Sequence, residues 1–284
     1  MEEQLSESII DGVVTIPTIP KILAELNAAI ADPDSSGSDI ANIISRDPPT
    51  ATKVLRLANS AYYGLRNKVT TIKHAVTMLG INVIRNLVLT ATVFDAPAAG
   101  STAGLFDRNK FWQHSLGVGV AAKIVAKETL PEAERRADEF FICGLLHDLG
   151  KLIINQHSRP KFEQALVLSQ DESIPLFEAE KKIIGCTHAE VGGLLAKRWN
   201  LSDEIISSLG YHHHPAEAPE EQIMYSAATH LADIITRDKE IGSGGGSNPE
   251  LQPAVWDALG LSESTFPTML TTIDKSLIEG DLAL

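Results

Sequence analysis

Helix starts and stops punctuate this chain from end to end, and between them apolar residues recur every third or fourth position. Asp47-Pro48 reads as a cap followed by proline at the first helical position. Ala51, Val54, Leu55 and Ala58 then share a face, and Gly64 marks the end of that segment. Thr71 caps a second segment, with Ile72, Ala75, Val76 and Leu79 on one side and Gly80 as its stop. Asn82 opens NVIRNLVLTATVF in the same period. Further on, Asp107 caps a long helix through Phe111, His114, Val118 and Ile124, and one continuous helix is predicted through ADEFFICGLLHDLGKLII. Thr187 and Glu190 form a capping box, T-x-x-E, that sets His188 at a first helical position. Ser202, before Asp203 and Glu204, opens a short helix ended by Gly210, and MYSAATHLADIIT carries Asp233 on another. Alternating strand patterns are nearly absent, and DGVVTIP reads as an extended lead-in ended by Pro17. The fold expected is all-α.

The 284 residues suffice for a substantial core in two lobes. The loose stretch DAPAAGSTAGLFD makes the best boundary. It separates an N-terminal helical lobe, residues 1–98, from a second helical lobe, residues 99–240. Residues 241–284 form a C-terminal part in which GSGGGS is a flexible loop and helices bearing Trp256 and Met269 pack on the lobes. No basic segment followed by an apolar stretch opens the chain, and no apolar run is long enough to span a bilayer. Cys143 and Cys186 are too few for a disulfide framework, so a cytoplasmic, reducing location is expected.

A net charge of −13 argues against general nucleic-acid binding, which neutralises phosphates with Lys and Arg. It also opposes a helix-turn-helix reading of the junction Leu79-Gly80-Ile81. Yet Thr50 to Phe94 holds Lys53, Arg56, Arg66, Lys68, Lys73 and Arg85 with no acidic residue. Two readings stand: solvated helix faces, or a docking surface for an acidic protein partner or a nucleotide.

Chemistry gathers in the second lobe, where His114, His147, His188, His212, His213 and His214 accompany Asp148 and Asp233. Neutral imidazole and carboxylate are ordinary ligands of divalent transition metals. In LLHDLGK, His147 and Asp148 are adjacent, so each offers a side chain to one ion, and the second carboxylate oxygen of Asp148 can bridge to another. Lys151 follows Asp148 by three residues, on the same side of a continuing helix, where an ammonium suits phosphate oxygens. The dipeptide alone is weak evidence, since Asp148 serves equally as a cap or ion-pair partner. The internal tract His212-His213-His214 adds a compositional hint of metal binding, with a solvated turn as its other reading.

The chain resembles the HDOD domain, the HD-related output domain of bacterial signalling proteins. In the first lobe the likeness rests on IPTIPKILAEL, DPPTATKVLRLANSAYYG and TIKHAVTMLG; in the second, on His114, LLHDLGK, THAEVGG, YHHHP and HLADII. The resemblance implies an HD-type helical bundle around a metal site, with the superfamily pattern H…HD…D falling on His114, His147, Asp148 and Asp233. Relatives with two metals add a histidine before a helix and a His-His pair. Those roles fall on His188 and on His212 with His213, although His213 with His214 also fits. The Gly-Tyr-Pro motif of HD-GYP cyclic-di-GMP phosphodiesterases is lacking, which lowers the odds of that substrate.

The resemblance implies two divalent ions, and the mixed ligand set favours iron, manganese, nickel or zinc over magnesium. The expected activity is metal-dependent hydrolysis of a phosphoester or nucleotide, with Asp148 and Lys151 as the catalytic pair. The alternative is a non-catalytic signalling module with a structural or sensing metal site and a partner docked on the basic region. Other residues carry smaller expectations. His230, three residues before Asp233, is a candidate to support the site from behind. His74 reads as a surface residue, His157 as structural, Arg56 and Asn59 as packing residues beside the loop near Tyr62 and Tyr63, and Trp112 and Trp199 as core or lobe-interface residues.

Overall fold

The structure, a computed structural model, describes residues 19–59, 63, 68–93, 105–130, 136–262, 264 and 266–279. The expected lead-in DGVVTIP, the stop at Gly64, Tyr62 and most of the boundary stretch lie outside the described residues. Among those described, every regular element is helical, and an isolated bridge between Pro175 and Ser247 is the β-type pairing present. The chain divides into two compact units, Thr18–Pro97 and Ala98–Ile278.

In the smaller unit the helices are α1 (Lys21–Ala31), α2 (Gly37–Ser45), α3 (Pro48–Ala58), α4 (Ile72–Leu79) and α5 (Ile81–Val93). Ser36 and Asp39 close a capping box on α2, and the Thr71 hydroxyl accepts from His74 N–H at the start of α4. Leu23, Leu26, Ile40, Ile44, Val54, Ala75 and Ile84 form the core. Asn59 ends α3 and clamps the returning chain, donating to Val69 O and accepting from Val69 N–H, each at 2.7 Å. Of the basic residues, Arg56, Lys68 and Lys73 are exposed, as is His74, while Arg85 donates to Asn27 at 2.7 Å.

The larger unit holds α6 (Arg108–Thr129), α7 (Ala137–Leu146), α8 (Leu149–His157), α9 (Arg159–Glu172), α10 (Leu176–Ile183) and α11 (His188–Arg198). These are followed by α12 (Asp203–Tyr211), α13 (Ile223–Asp238), α14 (Ala254–Ala258) and α15 (Phe266–Glu279). Apolar all round, with every residue but Asp138 and Glu139 buried, α7 lies at the centre. It packs on α6 and α13; α8 packs on α11, and α12 on both α11 and α13. Gly144 makes the first of these contacts close, since a Cβ there would stand 2.7 Å from Val118 O. The Asp107 carboxylate caps α6, and Thr187 with Glu190 caps α11.

One expectation is corrected. ADEFFICGLLHDLGKLII is two helices, because α7 stops at Leu146 and α8 starts at Leu149. Asp148 takes the N-cap position of α8, which aspartate prefers to a helix interior. Its carboxylate caps nothing there and points into the unit instead. Trp199 is buried, Trp112 is half-buried, and His157 is exposed at the end of α8. Cys143 and Cys186 are buried free thiols. Among the described residues, no helix is long and apolar enough to cross a membrane.

Candidate metal centre

Five elements converge on the carboxylate of Asp148. From the turn between α7 and α8, His147 brings Nε2 to 3.2 Å from Asp148 Oδ2, and α6 brings His114 Nε2 to 3.8 Å from the same oxygen. The other oxygen, Oδ1, meets Nε2 of His188 at 3.1 Å, from the first turn of α11, and Nε2 of His212 at 3.6 Å, from the end of α12. From α13, Asp233 Oδ1 lies 3.0 Å from His114 Nε2 and 3.8 Å from His147 Nε2. His213 completes the group, its Nε2 2.9 Å from that of His188. These side chains are all buried. His214, by contrast, is exposed, so the structure brings His212 and His213 to the cluster and leaves His214 outside it.

The potential ligand atoms fall into two trios, His114–His147–Asp148 and His188–His212–His213. Whether a cation fits between them is decided by the far side of each ring. His147 Nδ1 lies 2.7 Å from Gly144 O, and His212 Nδ1 lies 3.0 Å from Leu209 O and 3.1 Å from Ser208 O. His188 Nδ1 lies 2.6 Å from Glu180 Oε2. Carbonyl and carboxylate oxygens only accept, so each Nδ1 must carry the proton and donate. In the neutral rings Nε2 is then a bare lone pair. Two such lone pairs, on His147 and His212, face the two oxygens of one carboxylate at 3.2 and 3.6 Å, a repulsive arrangement until something positive sits among them. Accordingly His147 Nε2, His212 Nε2 and Asp148 Oδ1 make no hydrogen bond despite their burial. The donor set therefore fits divalent cations.

Electrostatics keeps His114, His212 and His213 in their ligand form. Burial pushes His114 down to about 4, with Asp233 opposing, and burial reinforced by neighbouring imidazoles holds His212 and His213 well below the usual range. His188 is the exception: burial works to lower it, but the Glu180 carboxylate outweighs burial and raises it. For Asp148, burial favours the neutral acid, yet His147 and Lys151 overcome it and hold the carboxyl well below its ordinary range. Arg237 and His114 do the same for Asp233 against its burial. Lys151 Nζ touches Asp148 Oδ2 at 2.6 Å, and burial lowers its pKa although Asp148 opposes.

The profile of the HDOD domain family matches residues 16–215. The chain belongs to the HDOD domain family. An HDOD domain protein of unknown function from Geobacter sulfurreducens superposes with a TM-score of 0.77 at 29% identity, over 98% of this chain and 95% of that one. A Shewanella amazonensis SB2B protein, provisionally named as a phosphohydrolase, gives 0.67 at 26% identity, over 98% and 90%. An uncharacterized Treponema pallidum (strain Nichols) protein is 32% identical over 236 residues, 82% of this chain but 44% of its own length. This HDOD chain thus spans less than half of that curated relative.

Three participants escape a reading of the motifs alone. Glu180 is fully buried in α10 and holds His188 twice, accepting from its main-chain N–H at 2.7 Å and from Nδ1. Its one sequence signal is a glutamate in step with the apolar face of Leu176 and Ala179. Arg237, four residues after Asp233, donates to Asp233 Oδ1 at 2.8 Å, an i,i+4 pairing that its spacing does announce. The 242–247 stretch, expected as a flexible loop, has fixed partners, among them Lys151 and Arg237. His230 sits behind the site: Nδ1 donates to His212 O at 2.6 Å and Nε2 accepts from Gln252 N–H at 3.1 Å, which fixes the main chain at His212.

A carboxylate behind a ligating imidazole both orients the ring and makes it more basic. Glu180→Gln keeps the shape and removes the charge. Metal affinity at the His188–His212–His213 trio is expected to fall about 10- to 100-fold, read by competition with a chromogenic chelator. Unchanged affinity would show that Glu180 has no part in the site.

Proposed function

We propose that this HDOD protein is a metal-dependent phosphohydrolase of a phosphoester or nucleotide, and that two divalent ions would share Asp148. The observation that carries this reading is the pair of unpartnered Nε2 atoms, of His147 and His212, that meet the two oxygens of that single carboxylate. His114, His147, Asp148 and Asp233 would hold one ion, and His188, His212, His213 and Asp148 the other. When bound, such a pair lowers the pKa of water and neutralises charge on a phosphoryl group. The imidazole-rich donor set favours iron, manganese, nickel or zinc over magnesium.

The chain's own contribution is positioning and dryness. Lys151, held at Asp148, presents an ammonium to a phosphate oxygen beside the bridge. The outward hydrogen bonds of His147 and His212 keep their protons on Nδ1 and their lone pairs inward, and Glu180 fixes the His188 ring. Resemblance to the provisionally named Shewanella phosphohydrolase supports the same class. A second reading, a non-catalytic module with a structural metal, draws on the near-complete burial of the centre.

Metal removal separates the two. Protein purified without a chelator or an affinity tag is expected to carry transition metal by elemental analysis and to turn over a member of a phosphomonoester, phosphodiester and nucleotide panel. Stripping should abolish turnover, and manganese or iron should restore it. Turnover that survives stripping would sink the proposal; bound metal with no turnover across the panel would favour the structural reading.

A further inference from the structure

Lys151 and Arg237 are buried cations whose donors are spent partly on the main chain of 242–247. Lys151 Nζ donates to Gly244 O at 2.8 Å, and Arg237 Nη1 donates to Gly245 O at 3.1 Å. Both also hold a carboxylate of the candidate centre: Lys151 holds Asp148 and Arg237 holds Asp233. Two adjacent peptide carbonyls therefore take up donors of both cations. We infer that Lys151 and Arg237 form an anion subsite and that residues 242–247 are its lid, occupying the subsite with the Gly244 and Gly245 carbonyls until a phosphate displaces them. The inference rests on the phosphohydrolase reading and adds Arg237 and the lid to it.

Packing explains why the lid is made of glycine. A Cβ on Gly244 would stand 2.6 Å from Arg237 Nη2 and 2.9 Å from His114 Nε2, so only a bare backbone can lie on the centre there. Gly245 and Gly246 run at φ +77° and +71°, the left-handed region open to glycine. The lid is anchored at its ends. Ser243 N–H donates to Lys110 O at 2.9 Å, and Ser247 N–H donates to Ser169 Oγ at 3.2 Å. Between those anchors the segment buries no side chain of its own; its backbone lies against Leu166, Leu176 and Ser169, and the two carbonyl-to-cation bonds tie it to the centre. A segment with so little buried apolar surface opens at low cost. The exchange also favours a ligand, because an anionic oxygen bonds an ammonium or guanidinium more strongly than a neutral carbonyl does. Closed, the lid accounts for a centre with every candidate ligand buried; open, it gives a phosphate two ready cations.

Amide hydrogen exchange across 242–247 in the metal-loaded full chain, with inorganic phosphate as the probe, tests this directly. Phosphate is expected to speed exchange of the segment about tenfold and saturably, while α7 and α11 stay unchanged. Gly244→Ala, whose methyl cannot fit beneath the closed lid, is expected to exchange at the fast rate without phosphate and to keep its metal. Arg237→Gln is expected to show fast exchange and no response to phosphate. Slower or unaltered exchange on adding phosphate overturns the inference, as does a Gly244→Ala lid as protected as the wild type. A lid that responds in a protein without turnover would remove the hydrolase reading and leave the lid standing. A silent lid in an active enzyme would do the reverse.

Discussion

Asp148→Ala is expected to empty the centre: metal content falls from about two ions per chain to near zero, and phosphoester turnover goes with it. The size of the effect follows from geometry. Among the described residues Asp148 is the one whose oxygens reach both trios, Oδ2 toward His114 and His147, Oδ1 toward His188 and His212. Removing an outer partner such as Glu180 costs about 10- to 100-fold, so losing the shared carboxylate should exceed that range. The single variant also leaves Lys151 buried without its counter-charge, a defect of about 3–5 kcal/mol when a buried pair is broken. A melting experiment would then confuse unfolding with metal loss. The double variant Asp148→Ala with Lys151→Met removes both charges and should recover much of that stability, yet still bind no metal. Elemental analysis of the two, beside Asp148→Asn, separates the causes. Metal retained at wild-type content in the double variant would mean that Asp148 bridges nothing.

The helical class and the position of His188 were legible because they depend on local rules. The Thr187–Glu190 box fixes the first turn of α11 whatever surrounds it, and the His188 side chain follows from that register. The adjacency of His147 and Asp148 is equally plain, but the apolar period runs on through them without marking the break between α7 and α8. The preference of aspartate for a cap over a helix interior is the local hint of that break, whereas the inward turn of its carboxylate is tertiary and has no local signal. Glu180 was invisible for a related reason. A glutamate among lysines in LFEAEKKI looks solvated, and its burial is set by His188, eight residues away across a turn. The loop at 242–247 misled because glycine has two uses. Composition suggests freedom, whereas here the absence of a side chain lets the backbone lie on His114 and Arg237.

Gly150→Ala, one methyl group two residues after Asp148 in LLHDLGK, is expected to be the most damaging small substitution in the larger unit. A Cβ at Gly150 would stand 1.9 Å from His188 O, 2.8 Å from His188 C and 3.0 Å from Gly192 N. All three obstacles are main chain, so no side-chain rotation relieves the clash, and α8 and α11 must separate by more than an ångström. Overpacking of this kind costs about 1–3 kcal/mol, more where backbone is the obstacle, and Tm should drop by roughly 5 °C or more for a unit of this size. The functional consequence is more specific than the loss of stability. Asp148 opens α8 and His188 opens α11, so parting the helices draws His188 Nε2 away from Asp148 Oδ1, now 3.1 Å off, and leaves His114 and His147 with α6 and α7. The variant should thus lose the ion of the His188–His212–His213 trio first and retain about one per chain. Gly192→Ala, on the facing helix, is the control. Its Cβ meets nothing closer than 3.5 Å, and a mid-helix alanine in place of glycine should be neutral or stabilising by up to about 1 kcal/mol. Equal losses in the two variants would refute the close crossing of α8 and α11, and a Gly150→Ala protein with full metal content would refute the dependence of the second trio on it.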